Sequence, residues 1–210
     1  MNRGRFITFE GGEGTGKSTQ VRLLVEHLSR NGADVVQTRE PGGSPSAEEI
    51  RALLVTGAAD RWSPLAETLL FYAARVEHWR QVIEPALTRG AHVVCDRFAD
   101  STMAYQCYAG GLDKHVVQDL HRLVMGKAEP DLTLVLDLPV DEGLKRAAAR
   151  RDDETRFERK GREFHERLRN GFLEIARAAP KRCVVVAAGQ SIELVHEAVR
   201  AAVADRLGFG

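Results

Sequence analysis

At 210 residues, with 43% hydrophobic and 29% charged side chains, the sequence is long enough for one well-buried domain, short for two, and outside the disordered range. Thirty basic residues balance thirty acidic ones, which argues against long nucleic acid as the main partner, because such binding rests on a basic excess. Cys95, Cys107 and Cys183 are scattered without C-x-x-C spacing, so neither a disulfide framework nor a zinc site is expected, and no apolar run reaches the ~18 residues of a membrane span. A cytoplasmic protein without a membrane partner is the expectation.

In chain order, short apolar runs alternate with helical patterns, the mark of an α/β fold with a parallel sheet. Phe6–Phe9 reads as a first strand. Lys17 to Arg30 is a helix with Val21, Leu24, Val25 and Leu28 on one face, ended by Asn31-Gly32. Val35-Val36 belongs to a second strand, closed by Arg39-Glu40-Pro41-Gly42-Gly43. A short helix covers Ala47 to Val55. Ser63-Pro64 caps a long one whose stripe is Leu65, Leu69, Tyr72, Val76 and Trp79, interrupted or kinked at Pro85 and closed by Gly90. His92–Cys95 is a third strand that delivers Asp96-Arg97. The spacing predicts a helix over Leu112 to Val124 with Val116, Leu120, Leu123 and Val124 inward. A fourth strand runs from Leu132 to Leu136, and a helix begins at Asp141 and reaches Arg150. The remaining elements are a helix from Glu163 to Ala178, a strand at Cys183–Val186 and an amphipathic helix from Ser191 to Leu207. There is no repeat and no linker, so residues 1–210 read as one domain on a five-stranded parallel sheet flanked by helices. Ligands of such sheets sit beyond the C-terminal strand ends, which singles out residues 10–18, 39–43, 96–106 and 137–141.

The first of these segments carries chemistry. Gly11-Gly12-Glu13-Gly14-Thr15-Gly16-Lys17-Ser18 matches G-x-x-x-x-G-K-[ST] at every fixed position, between a strand and a helix. Glycines let successive backbone N–H groups turn toward phosphate oxygens, and the helix N-terminus adds its positive end. Lys17 bridges β- and γ-phosphates in such loops, and the Ser18 hydroxyl is a Mg²⁺ ligand. A nucleoside triphosphate with Mg²⁺ is therefore expected along Gly11 to Thr19. Switch GTPases need N-K-x-D, whereas asparagine occurs here only at 2, 31 and 170. Helicases and transporters are usually larger. A small kinase is favoured, with a nucleotide-driven switch or motor as the rival.

Further segments fall in place along the chain: Phe9-Glu10-Gly11, Thr38 to Gly43, Leu70-Phe71-Tyr72-Ala73-Ala74-Arg75 and Asp96-Arg97-Phe98. They continue with Ser101-Thr102, Ala104-Tyr105-Gln106, Pro130 to Leu134 and Arg156-Phe157-Glu158. Together they resemble the bacterial thymidylate kinases, of the P-loop nucleoside-monophosphate kinase fold. The resemblance implies ATP and dTMP as substrates and a homodimer. It implies that Phe71 stacks on thymine, that Arg75, Thr102 and Gln106 read the base edge, and that Tyr105 crowds the 2′ position. Glu13 would hold the 3′-hydroxyl, Arg39 and Arg97 the acceptor phosphate, and Asp96, with Ser18, the Mg²⁺ and its waters. The Glu40-Pro41 bond would be cis. Read alone, Phe71 is more often a core residue and Asp96-Arg97 equally well a structural pair.

From Lys145 to Arg169 there are ten Lys/Arg against six Asp/Glu. A charge run of this kind is usually a solvated helix face. The resemblance implies a lid at about 150–162 whose arginine stabilises the transferring phosphoryl group, since Gly14 leaves the P-loop without one. Arg156 fits that motif best, with Arg150 and Arg151 next. The chain departs from the family in lacking an arginine near position 110 and in having Thr155 where Asp is usual. A kinase for another nucleoside monophosphate or for a deoxynucleoside is the alternative.

Overall fold

The structure is a computed structural model that describes residues 3–58, 60–149 and 156–209. Five strands, β1 (Phe6–Glu10), β2 (Val35–Arg39), β3 (His92–Asp96), β4 (Leu132–Asp137) and β5 (Cys183–Ala187), form one sheet in the order β2-β3-β1-β4-β5. Every pairing is parallel. All five residues of β1 are buried, as a central strand covered on both faces requires. The alternation of side chains then sorts the core into two layers. Ile7, Phe9, Val94 and Leu134 pack on α1 (Lys17–Arg30), through Val21, Leu24 and Leu28, and on the final helix Ile192–Leu207, through Val195, Val199 and Val203. Phe6, Val93 and Cys95 face the other way, toward Tyr72, Ile83, Leu87 and Val117. Each fully buried side chain of this size contributes about 1.5–3 kcal/mol.

The remaining helices are α2 (Pro45–Val55), α3 (Pro64–His78), α4 (Glu84–Thr88), α5 (Ala99–Thr102), α6 (Lys114–Met125), α7 (Val140–Ala148) and α8 (Arg162–Ala178), with the final helix as α9. Ser63 caps α3 by accepting from Ala66 N at 3.3 Å. The expected kink before Pro85 is a π-helical segment, Trp79–Ile83, joining α3 to α4. A second π-helical segment, Met103–Ala109, continues α5; the sequence reading placed no helix there, because four residues of α5 are too few to show a period.

Two apolar stripes are covered less than expected. Leu65 and Leu69 on α3 are 47% and 50% exposed, and Leu123 on α6 is 83% exposed. A 3.6-residue period reports that a helix face is apolar, not what covers it.

Candidate active site

The P-loop forms as β1 ends and α1 begins. Gly11 and Gly14 have φ of 136° and 69°. A Cβ on Gly11 would lie 2.4 Å from the Leu136 carbonyl oxygen, and one on Gly14 2.0 Å from that of Gly143. The backbone can pass only if both positions stay bare, so an arginine at position 14 has no room. Lys17 donates to Gly12 O at 2.8 Å and Gly11 O at 3.2 Å. Burial, reinforced by Arg97, pulls its ammonium down to about 8 against the opposing carboxylates Glu13, Asp96 and Glu10. Gly11, Gly12 and Thr15 form the back of the loop, where the Thr15 hydroxyl donates to Gly12 O at 3.0 Å.

At the end of β3, the Asp96 carboxylate accepts a 2.7 Å hydrogen bond from the Ser18 hydroxyl. Arg97 follows with φ 72°, the one positive value at a non-glycine among the described residues. Its guanidinium donates to Gly11 O at 3.0 Å, Ser101 Oγ at 3.2 Å and Glu13 Oε1 at 3.1 Å. The strained turn is held from below by Glu10, which accepts from Phe98 N at 2.8 Å and from Ser101 Oγ at 2.6 Å. Burial and the nearby Asp100 push the Glu10 carboxyl up to about 7. Burial also raises Glu13, but Arg97, Lys17 and the Tyr105 hydroxyl, which donates to it, pull it down to about 2.

The loop opens on a cavity of about 320 Å³. Gly14, Gly16, Lys17, Ser18 and Thr19 line its phosphate end, with Arg39, Asp96 and Arg97 beside them. Phe71, Arg75, Thr102, Tyr105 and Gln106 line the far end. One space thus receives every residue expected at the acceptor, including Phe71, whose apolar helix favoured the core. Arg75 is fixed on three sides: Nε donates to Glu40 Oε2 at 2.7 Å, and Nη2 to Thr102 Oγ1 at 3.0 Å and Phe98 O at 3.2 Å. Its Nη1 is buried and unpartnered, as is Oε1 of Gln106. Both residues line the cavity, and each keeps one buried polar atom without a partner, a donor on Arg75 and an acceptor on Gln106.

Arg39 lies at the rim, paired with Glu48 at 3.2 Å. The Glu40-Pro41 peptide is cis, as the resemblance implies. In the post-strand segment after β4, Asp137 forms a two-pronged pair with Arg169 at 2.7 and 2.9 Å.

Arg156 needs a correction. It was expected at the transferring phosphoryl group, yet its guanidinium is buried against Glu67, with Leu54 O at 3.0 Å and Ala58 O at 2.9 Å. A buried guanidinium must find acceptors, and the end of α2 with the start of α3 supplies them. Its neighbours Phe157 and Glu158 line the cavity; Arg150 and Arg151 lie outside the described residues. The reading of the sequence assigned no role to Glu10, Glu40 or Glu67. For Glu10 and Glu67 the only signal is a carboxylate beside apolar neighbours, and Glu40, within Thr38-Arg39-Glu40-Pro41, has not even that.

The family model described as thymidylate kinase matches residues 9–199. The chain belongs to the thymidylate kinase family. It is 57% identical over 209 residues to the thymidylate kinase of Caulobacter vibrioides, covering 100% of both chains. It is 51% identical over 207 residues to that of a Bradyrhizobium strain, covering 98% of this chain and 92% of the relative. The crystal structure of thymidylate kinase from Ehrlichia chaffeensis superposes with a TM-score of 0.79 at 36% identity, over 96% of this chain and 99% of that one. The fold is accordingly the P-loop fold, and the family is one of nucleoside-monophosphate kinases.

Proposed function

We propose that the chain transfers the γ-phosphate of ATP to dTMP, giving dTDP and ADP. The carrying observation is that two residues of the cavity wall, Arg75 and Gln106, each keep a buried polar atom without a partner, Nη1 on one and Oε1 on the other. A donor beside an acceptor complements the O4 and N3–H of thymine, and Phe71 lies beside them to cover the ring.

A phosphate oxygen of dTMP attacks the γ-phosphorus as the bond to the bridging oxygen of ADP breaks. Such transfer needs positioning and positive charge more than covalent chemistry. Lys17 neutralises charge growing on the γ-group and the leaving oxygen. Arg97, rigid on its strained turn, and Arg39 hold the acceptor phosphate, while Glu13 and Tyr105 sit where the sugar edge must pass. Mg²⁺ would be held through Ser18 and Asp96, hard oxygen donors already in contact, and would draw charge from the phosphate oxygens. Among the described residues no cluster of three His, Cys, Asp or Glu could hold a metal alone; this suits Mg²⁺, which keeps water and phosphate ligands and takes only one or two side chains.

Residues 150–162 act as a lid over the nucleotides, supported by Phe157 and Glu158 on the cavity wall. The chain works as a homodimer, for which Leu65, Leu69 and Leu123 offer exposed apolar surface; light scattering of wild type and Leu123→Asp tests this. It works in the cytoplasm, in keeping with three free, buried cysteines and with no helix among the described residues long and apolar enough to cross a membrane.

ADP release in the presence of Mg-ATP, with dTMP, dUMP, dCMP, AMP or GMP as acceptor, tests the whole reading. dTMP should be best, and dUMP weaker by the ~1–3 kcal/mol that one methyl group is worth. A purine or cytidine preference would refute the acceptor. ADP release independent of any acceptor would refute the kinase.

A further inference from the structure

We infer that Glu67, anchored by Arg156, sets the base specificity of the acceptor site by fixing which end of the Gln106 amide faces the cavity. This rests on the proposal that Arg75 and Gln106 face a pyrimidine. Glu67 stands in the first turn of α3 and is 7% exposed. It does not line the cavity; Gln106 does. Behind the wall, Gln106 Nε2 donates to Glu67 Oε2 at 2.7 Å, and Arg156 donates to Glu67 Oε1. Both carboxylate oxygens are thereby committed.

The direction of this chain is forced. A guanidinium has only donors, and an ionised carboxylate only accepts. The Gln106 amide must therefore turn its NH₂ to Glu67, which leaves Oε1 as the group it presents. Gln106 is 2% exposed, and its Oε1 is buried without a partner. Taken alone, an amide is ambidextrous: rotated by half a turn it would offer NH₂ instead. An amide oxygen accepts the N3–H of thymine or uracil but opposes the N3 lone pair of cytosine. An amide NH₂ has the reverse preference. Beside it, Arg75 Nη1 donates, which suits a 4-keto oxygen and clashes with a 4-amino group. A pocket that would leave such groups unpaired rejects the wrong ligand strongly. Neither Glu67 nor Arg156 lines the cavity that holds the base, so both are positioning residues.

The test uses the full chain and measures kcat/KM for dTMP, dUMP and dCMP at saturating Mg-ATP, all in one preparation so that the ratios are independent of the folded fraction. Wild type favouring dCMP would refute the base-site reading itself, separately from this inference. Glu67→Gln can accept or donate and so releases the direction. Its dTMP/dCMP ratio should fall by about tenfold or more, while dTMP/dUMP, whose members share N3–H and O4, stays within about twofold. Should Glu67→Gln not fold, the double variant Glu67→Met/Arg156→Met, which removes the acceptor and leaves no buried charge unpaired, frees the amide and should lower dTMP/dCMP in the same way and leave dTMP/dUMP alone. A dTMP/dCMP ratio that falls by less than this in the variant measured overturns the inference. So does a parallel collapse of both ratios, which would mark a merely loosened pocket.

Discussion

The Ser18 hydroxyl and the Asp96 carboxylate meet at 2.7 Å, joining the first turn of α1 to the C-terminal end of β3. Two hard oxygen donors are thus in place at the mouth of the P-loop, beside the group that carries the triphosphate. Ser18→Ala and Asp96→Asn should each lower kcat by about 10–100-fold, the usual cost of disturbing the support of a metal site. Each should also shift the Mg²⁺ activation curve to higher concentration. Titration of ADP release against MgCl₂ checks this, and a curve superposable on wild type would remove the pair from the metal's coordination.

Lys17 sets activity against stability. Its folded pKa of about 8 lies below the ordinary 10.5, so between those values the unfolded chain binds more protons and stability rises with pH. Below pH 8 both states are charged, and the full cost of burying the ammonium is present. That cost is roughly 3 kcal/mol, partly offset by its hydrogen bonds to loop carbonyls at about 1 kcal/mol each. Lys17→Met should therefore gain about 1 kcal/mol at pH 7, a rise of about 2–4 °C in Tm, with the gain shrinking from pH 8 to 10.5. It should also keep under about a tenth of wild-type kcat. Calorimetry across pH, with turnover alongside, measures both.

Glu13 titrates in the opposite sense. Its folded pKa of about 2 is depressed from 4.5, so its contribution is complete above pH 4.5 and is lost as pH falls toward 2. Up to roughly 3 kcal/mol is at stake. The stability difference between wild type and Glu13→Gln, from urea titrations at several pH values, should narrow across that window. A constant difference would mean that Arg97 and Tyr105 do not hold the carboxylate as placed.

Arg75 and Glu40 are 1% and 4% exposed and 2.7 Å apart. Removing one partner of such a pair leaves a buried charge uncompensated, which costs about 3–5 kcal/mol. Arg75→Ala should fall in that range by urea denaturation. A change near that of an exposed pair, about 0–1 kcal/mol, would show that Glu40 finds other compensation, with His78 Nδ1 at 3.2 Å the nearest candidate.

Much of the molecule was legible in the residue order. The strands were short apolar runs, and α1, α8 and α9 followed their periods. The phosphate loop is contiguous, so its chemistry could be read from eight neighbouring residues. Arg156 was expected at the transferring phosphoryl group and instead lies buried against Glu67, because a motif names a residue without naming its acceptors. Leu123 was read as inward, and Leu65 and Leu69 were joined in one stripe with the buried Tyr72, since an apolar stripe looks alike under a helix and on a surface.

What the sequence determined by itself was the nucleotide loop, the order of strands and helices, and hence the strand ends at which to look for a ligand; each is encoded within about ten consecutive residues by backbone sterics and hydrophobic period. Tertiary structure alone decided how the carboxylates are used. Glu10 reaches Phe98 across 88 positions, Glu40 meets Arg75 across 35, and Glu67 meets Gln106 across 39 and Arg156 across 89. A carboxylate has the same local signature whether it is solvated or buried against a guanidinium. Only the packing of distant elements removes its water, and once the water is gone a specific partner must take its place.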